Sequence, residues 1–102
     1  MSEANKALLR RYYEEVVSGG LLDELPRCLG ADYAEVHGGR RHPIGLEGAR
    51  QHILGVRRTY PDLRLEVQQQ IAEGEWVAST VRMRGTHLGE WLGMRPTGLP
   101  VE

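Results

Sequence analysis

The sequence lacks the features that mark several large classes of protein. Its 102 residues contain one cysteine, Cys28, so neither an internal disulfide framework nor a cysteine-based metal cluster is expected. Thirteen basic and fourteen acidic side chains give a net charge of -1, which argues against a nucleic-acid-binding protein. No apolar run approaches the roughly 20 residues of a membrane helix, and the first residues have no apolar segment of the signal-peptide type. We therefore expect a cytoplasmic protein that binds neither nucleic acid nor membrane.

The composition that is present is typical of one globular domain. Hydrophobic residues make up 40% of the chain and charged residues 26%, an ordinary balance for a folded protein. A chain of this length can bury one core. Neither a repeat nor a linker divides the sequence, so we expect a single domain over residues 1–102.

Helices are predicted in the first 60 residues. Residues 3–18 carry apolar pairs at four-residue spacing, and Gly19-Gly20 can end this helix because glycine accepts the left-handed cap conformation. A short second helix is expected after it. From about Leu46 to Thr59, apolar residues again recur at the helical period, and Pro61 ends that helix.

Strands are predicted around and after the third helix. Residues 32–37 alternate as a strand, and residues 38–43 are expected to form a loop. Two longer strands flank a compact turn at residues 73–75, the second one running to about residue 87. Residues 99–102 then begin another strand. Helices that precede an antiparallel sheet indicate an α+β fold.

Four stretches together resemble the SnoaL-like polyketide cyclase family, within the nuclear transport factor two-like superfamily. They are NKALLRRYYEEVVSGG, ADYAEVHGG, GLEGARQHILGVRRTYPDLRLEV and AEGEWVASTVRMRGTHLGEWLGMRPTG. The second ends its strand in a histidine, the third contains a Tyr-Pro-Asp corner, and the last carries Gly-Thr-His-x-Gly and Pro-Thr-Gly signatures. Each piece is short, but they occur in the family's order across nearly the whole chain.

The resemblance implies a fold and a type of chemistry. The expected fold is a curved antiparallel sheet wrapped on the N-terminal helices, a cone with a deep apolar pocket suited to a small hydrophobic molecule. Cyclases of the family close a polyketide ring by an intramolecular aldol step, and related isomerases move a double bond. Both remove a proton next to a carbonyl group without a metal or a cofactor.

The resemblance also predicts that the C-terminal end is short of the family's last strands. In the family, further strands follow Pro-Thr-Gly, and one carries the acidic residue that serves as the base in characterised cyclases. This sequence ends before those strands, so the terminal strands are expected to be missing and no residue here matches that base. The open edge of the last long strand would need a cover. A homodimer is the expected solution.

His37 is the residue that the pattern favours for catalysis. It ends a strand, and histidine titrates near neutral pH, which suits proton transfer from an activated carbon. The alternative is a strand-end histidine that hydrogen bonds to the following loop.

Five further residues are predicted to line a ligand pocket. Tyr13 lies on the buried stripe of the first helix, where its hydroxyl enters either the pocket or the surface. Tyr33 shares a strand face with the predicted catalytic histidine, and Met83 lies on the apolar face of the second long strand. His87, on the same face, either polarises a ligand oxygen or ties the strand to the next loop. Trp91 is expected at the pocket rim, with a dimer contact or closure of the cone as the alternatives.

These residues support two functional hypotheses. The first is a cofactor-free cyclase or isomerase that removes a proton next to a carbonyl group, with a tyrosine and a histidine as partners of the oxyanion. The second is a non-catalytic module for ligand binding or dimerisation, in which the pocket is kept and the chemistry is not. Loss of activity on changing His37 separates the two.

Overall fold

An antiparallel sheet packs against helices from the first 60 residues, which confirms the predicted α+β fold. The computed structural model describes residues 2–90 and 93–102. The core cluster combines residues from the N-terminal helix, the short second helix, the third helix and the segment just before the main sheet. Its members are Val16, Val17, Leu25, Ile53 and Leu63.

The N-terminal helix changes its winding halfway along. Helix α1 covers Ser2–Arg11 and continues directly into a π-helical turn, Tyr12–Val17. The predicted helix over residues 3–18 is therefore confirmed in extent, but its second half is wider than an α-helix. A short 3-10 turn at Leu22–Glu24 and helix α2, Leu25–Cys28, follow.

The prediction of a loop over residues 38–43 is wrong. Strand β1, Glu35–His37, pairs antiparallel with strand β2, Arg40–His42. Gly38 and Gly39 join them with φ angles of 61° and 74°. Two successive positive φ angles define the turn that best matches the twist of a two-residue hairpin, and glycine adopts them without steric cost.

The remaining elements form the main sheet and the helix beside it. Helix α3 covers Gly45–Thr59, close to its predicted bounds. Strands β3, Arg64–Glu73, and β4, Trp76–Thr86, form a long antiparallel hairpin. Strand β5, Pro100–Val101, pairs with the end of β4, so the sheet order is β3-β4-β5.

Side chains of the N-terminal helix bond to the outer edge of β3. The Glu14 carboxylate accepts the N–H of Val67 at 2.8 Å, and the Ser18 hydroxyl oxygen accepts the N–H of Leu65 at 2.8 Å. These bonds give partners to strand amides that would otherwise stay unpaired, and they fix the helix against the sheet.

Hydrogen bonds tie the end of β4 and the residues after it to the end of α3 and the turn that follows α3. Asp62 accepts hydrogen bonds from both the N–H and the hydroxyl of Thr86, each at 2.7 Å. These bonds lower the pKa of the Asp62 carboxyl. The N–H groups of Leu88 and Gly89 both donate to the carbonyl of Thr59, at 2.9 and 3.0 Å. The signature Gly-Thr-His-x-Gly is thereby fastened to the C-terminal end of α3.

Candidate functional site

A cavity of about 260 Å³ opens between the N-terminal helix, β1, α3 and the inner face of the β3–β4 hairpin. This volume lies just below the usual range of small-molecule sites, roughly 300–1,000 Å³. Most of the wall is apolar, and the polar groups come from three tyrosines, one glutamate and one histidine. The lining residues are Tyr12, Tyr13, Val17, Tyr33, Glu35, His52, Ile53, Val56, Leu63, Leu65 and Met83.

Glu35 is the acidic group of this cavity. Its Oε2 atom accepts a hydrogen bond from the Tyr33 hydroxyl at 3.2 Å and lies 3.1 Å from Nδ1 of His52. Among the described residues, its Oε1 atom has no hydrogen-bond partner, and the side chain as a whole is 24% exposed. One carboxylate oxygen is therefore held by two neighbours, while the other makes no hydrogen bond to the described residues.

Two tyrosines beside Glu35 stay protonated well above neutral pH. Burial, followed by the proximity of Tyr13, raises the pKa of Tyr12 to about 12. Burial also raises the pKa of Tyr33, with the neighbouring Tyr12 and Glu35 adding to the effect. A hydroxyl that keeps its proton remains a hydrogen-bond donor, so both phenols can donate to an anion or a carbonyl oxygen.

Three of the residues predicted to line the pocket do so. Tyr13 enters from the π-helical turn, Tyr33 from the segment before β1 and Met83 from β4. Tyr12 and Tyr13 touch edge to face with ring centroids 5.1 Å apart. The structure therefore brings these predicted residues together around one cavity.

His37, the predicted catalytic residue, lies outside this cavity. Its side chain is exposed and its ring stacks on that of His42, with centroids 4.2 Å apart and planes 18° apart. It shares the β1 face with Glu35, as the alternation predicted, but the strand ends there and the cavity does not extend along it. Its catalytic role stays a prediction.

The two remaining predicted residues are not part of the described cavity wall. His87 is buried, and its Nδ1 atom lies 3.1 Å from the Thr97 hydroxyl, which connects the Gly-Thr-His and Pro-Thr-Gly signatures. This geometry matches the alternative of a histidine that ties a strand to a loop. Trp91 lies outside the described residues.

Sequence reasoning missed Glu35 and His52 as a pair. His52 lies on α3, and its side chain is half-exposed. Its partner is 17 positions earlier on another element, so no local spacing connects the two. The available signal was the alternation of residues 32–37, which places Glu35 on the same strand face as Tyr33 and His37.

Other kinds of site find no support among the described residues. No group of three or more histidine, cysteine, aspartate or glutamate side chains is arranged to hold a metal ion there. Within residues 2–90 and 93–102, no helix is long and apolar enough to cross a membrane.

Comparison with known families identifies the chain. The model of the SnoaL-like polyketide cyclase family matches residues 7–102. The chain belongs to this family. The resemblance carried by the four sequence stretches is thereby confirmed. No curated protein matches the sequence.

Solved structures of similar proteins share the fold. AclR, a proposed hydroxylase from Streptomyces galilaeus, has a TM-score of 0.82 at 25% identity, covering 97% of this chain and 72% of its own. A proposed polyketide cyclase from Acidithiobacillus ferrooxidans has a TM-score of 0.82 at 22% identity, covering 95% of this chain and 71% of its own. IdmH, a proposed polyketide cyclase from Streptomyces antibioticus, has a TM-score of 0.76 at 25% identity, covering 94% and 74%. These relatives differ in proposed reaction, so the shared fold does not determine the reaction, which depends on the residues of the site.

Proposed function

We propose that this protein removes a proton next to the carbonyl group of a small hydrophobic molecule, as a cofactor-free cyclase or isomerase, with Glu35 as the base. The observation that carries this proposal is that the two oxygens of the Glu35 carboxylate have different hydrogen-bond environments. Oε2 contacts Tyr33 and His52, Oε1 has no hydrogen-bond partner among the described residues, and Glu35 lines a mostly apolar cavity. A general base needs this combination of a fixed orientation and a free lone pair within reach of the substrate.

The proposed step uses the residues that surround Glu35. Oε1 takes a proton from the carbon next to the carbonyl, and the electron pair of that C–H bond moves to form an enolate. Tyr12 or Tyr13 donates a hydrogen bond to the enolate oxygen, where negative charge develops. The protonated Glu35 then returns its proton to a carbon or oxygen of the product, so the protein ends the cycle unchanged.

The tyrosines suit the role of oxyanion donors. With its pKa raised to about 12, the Tyr12 hydroxyl is protonated throughout the neutral range. In a partly water-excluded site, a donor that is already in place stabilises developing charge more strongly than water does. The Tyr33 hydroxyl is already engaged with Glu35, so its part is to hold the base.

The proposal is tested with β-tetralone, a bicyclic ketone with acidic hydrogens next to its carbonyl. In deuterium oxide, NMR measures how fast those hydrogens are replaced by deuterium. We expect the protein to accelerate this exchange, and Glu35→Gln to lose about 100-fold or more of the acceleration, the usual contribution of a general base. Glu47→Gln is the matched control, because Glu47 is an exposed glutamate of α3 away from the cavity.

The same ketone separates catalysis from simple binding. Ligand-dependent chemical-shift changes at cavity residues, without accelerated exchange, would favour the alternative of a non-catalytic binding module. Accelerated exchange that survives Glu35→Gln would show that another group is the base, and the proposal would be withdrawn.

A further inference from the structure

We infer that Ser18 is a positioning residue: it holds the π-helical turn Tyr12–Val17 and thereby places both Tyr12 and Tyr13 in the cavity. The substrate role of the two rings rests on the proposed function, but the placement itself does not. π-helical turns are rare and concentrate at functional sites. This one coincides with the part of the N-terminal helix that lines the cavity.

Ser18 bonds twice to the same carbonyl group. Its backbone N–H is shared between the carbonyls of Glu15 and Tyr13, and its hydroxyl donates to the carbonyl of Tyr13 at 2.9 Å. The N–H bond to Tyr13 spans five residues, which is the π-helical pattern, and the one to Glu15 spans three, whereas an α-helix would pair Ser18 with the carbonyl of Glu14. The side chain therefore reinforces the wider turn at the position where the two patterns diverge.

The same hydroxyl is also anchored from the sheet. Its oxygen accepts the N–H of Leu65 on β3 at 2.8 Å, and the Leu65 carbonyl, 3.4 Å away, is a more distant acceptor for its proton than the Tyr13 carbonyl at 2.9 Å. One turn earlier, Glu14 accepts the N–H of Val67 at 2.8 Å. A serine at position 18 can satisfy the Tyr13 carbonyl and a strand amide at once, which no apolar side chain can do.

The wider turn decides where the tyrosines point. Val16 and Val17 are fixed in the core just after them. If residues 12–17 returned to α-helical winding while the valines stayed in place, the preceding rings would rotate by roughly a quarter of a turn. Tyr12 and Tyr13 would then no longer both face the space beside Glu35.

The test reads the hydrogen-bond pattern directly in solution. NMR couplings across N–H···O=C bonds show which carbonyl carbon pairs with each amide, and the 11.5 kDa protein is small enough for them. In the unaltered protein we expect the Ser18 amide to couple to the carbonyl of Tyr13. In Ser18→Ala the position-18 amide should couple instead to the carbonyl of Glu14, and Ser18→Thr, which keeps a hydroxyl, should restore the original pattern.

A binding measurement gives the consequence for the cavity. We expect Ser18→Ala to weaken binding of a polarity-sensitive naphthyl ketone about tenfold, since ring contacts leave the site. Ser79→Ala is the matched control, because it removes another partly buried serine hydroxyl, which contacts the Gln70 side chain at 3.3 Å. This control should leave both the coupling pattern and the affinity unchanged.

Several results would overturn the inference. One is a Ser18-to-Glu14 coupling in the unaltered protein, and another is a Tyr13 coupling that persists in Ser18→Ala. If Ser18→Ala does not fold, Ser18→Cys keeps the side-chain size with a weaker hydrogen-bonding group. It should show a mixed pattern, and an unchanged one would equally contradict the role of Ser18. None of these couplings depends on catalysis. If the proposed function fails, the coupling pattern of Ser18 is unaffected, so the two failures can be told apart.

Discussion

Tyr12 is the residue whose ionisation reports most directly on the cavity. Burial disfavours the charged tyrosinate, so its pKa is raised to about 12 rather than the usual value of about 10. The hydroxyl therefore remains a donor over the whole range in which a glutamate can act as a base. This combination of a protonated phenol with a carboxylate is what the proposed proton transfer requires.

We predict that a Tyr12→Phe variant lacks one tyrosinate absorbance step near pH 12. A stopped-flow jump to alkaline pH records the step before the chain unfolds, and subtracting the variant from the unaltered protein removes the signals of the other tyrosines. A difference step near pH 10, the range of an exposed tyrosine, would show that Tyr12 is not buried in the cavity.

At the residue scale, sequence patterns predicted the apolar wall better than the acid–base pair. Tyr13 and Met83 could be placed because helical and strand periodicity identifies buried faces. Glu35 and His52 could not be paired, because their contact depends on how α3 lies across β1. His37 had the right chemistry and the right strand face, but periodicity does not reveal where a cavity ends.

Gly89 shows how one glycine connects two elements. A Cβ atom at this position would lie 2.9 Å from the Cα of Thr59 and still closer to the carbonyl oxygen of Arg58. Both are backbone atoms at the end of α3, so they cannot move aside by changing a rotamer. The last glycine of the Gly-Thr-His-x-Gly signature is thus explained by close packing of two backbone segments.

We predict that Gly89→Ala destabilises the fold by about 1–3 kcal/mol, the usual cost of overpacking, as measured by urea denaturation. Gly55→Ala is the matched control. Gly55 lies inside α3 with open space around its Cβ position, so alanine there should stabilise the fold by about 0.5–1 kcal/mol. Equal effects of the two variants would contradict the packing described for Gly89.

At the element scale, most helices and strands were predictable, while strand β2 and the π-helical winding were not. Helix α3 and the β3–β4 hairpin follow from periodicity and turn residues, which act over short stretches. The π-helical turn depends on strand amides more than 45 positions away, bound by Glu14 and Ser18. Strand β2 was missed because its few charged residues resemble a loop unless the two preceding glycines are interpreted as a hairpin turn.

At the scale of the whole molecule, one edge of the main sheet has few strand partners among the described residues. Strand β5 pairs with Gly85 and Thr86 of β4, and no described strand pairs with the rest of that edge. On the outer face, Arg82 and Arg84 both form ion pairs with Glu102. The expected homodimer stays a prediction, in which a second copy covers part of this side.

Light scattering after size-exclusion chromatography tests the dimer. We expect the mass of two chains, and we expect Arg84→Glu to lower it, because a third negative charge would join Glu66 and Glu102 on the outer face. An unaltered mass in Arg84→Glu would exclude this face as the interface. The mass of a single chain in the unaltered protein would contradict the dimer itself.

Glu35 is the proposed base, and it lies in the cavity wall. The most direct test compares α-carbon deuterium exchange of β-tetralone in Glu35→Gln and His37→Ala, with the unaltered protein as reference. We expect a loss of about 100-fold or more in Glu35→Gln. In His37→Ala we expect a rate close to that of the unaltered protein, since this side chain is exposed outside the cavity. The opposite result, with exchange lost in His37→Ala and retained in Glu35→Gln, would contradict Glu35 as the base and support the catalytic residue predicted from sequence.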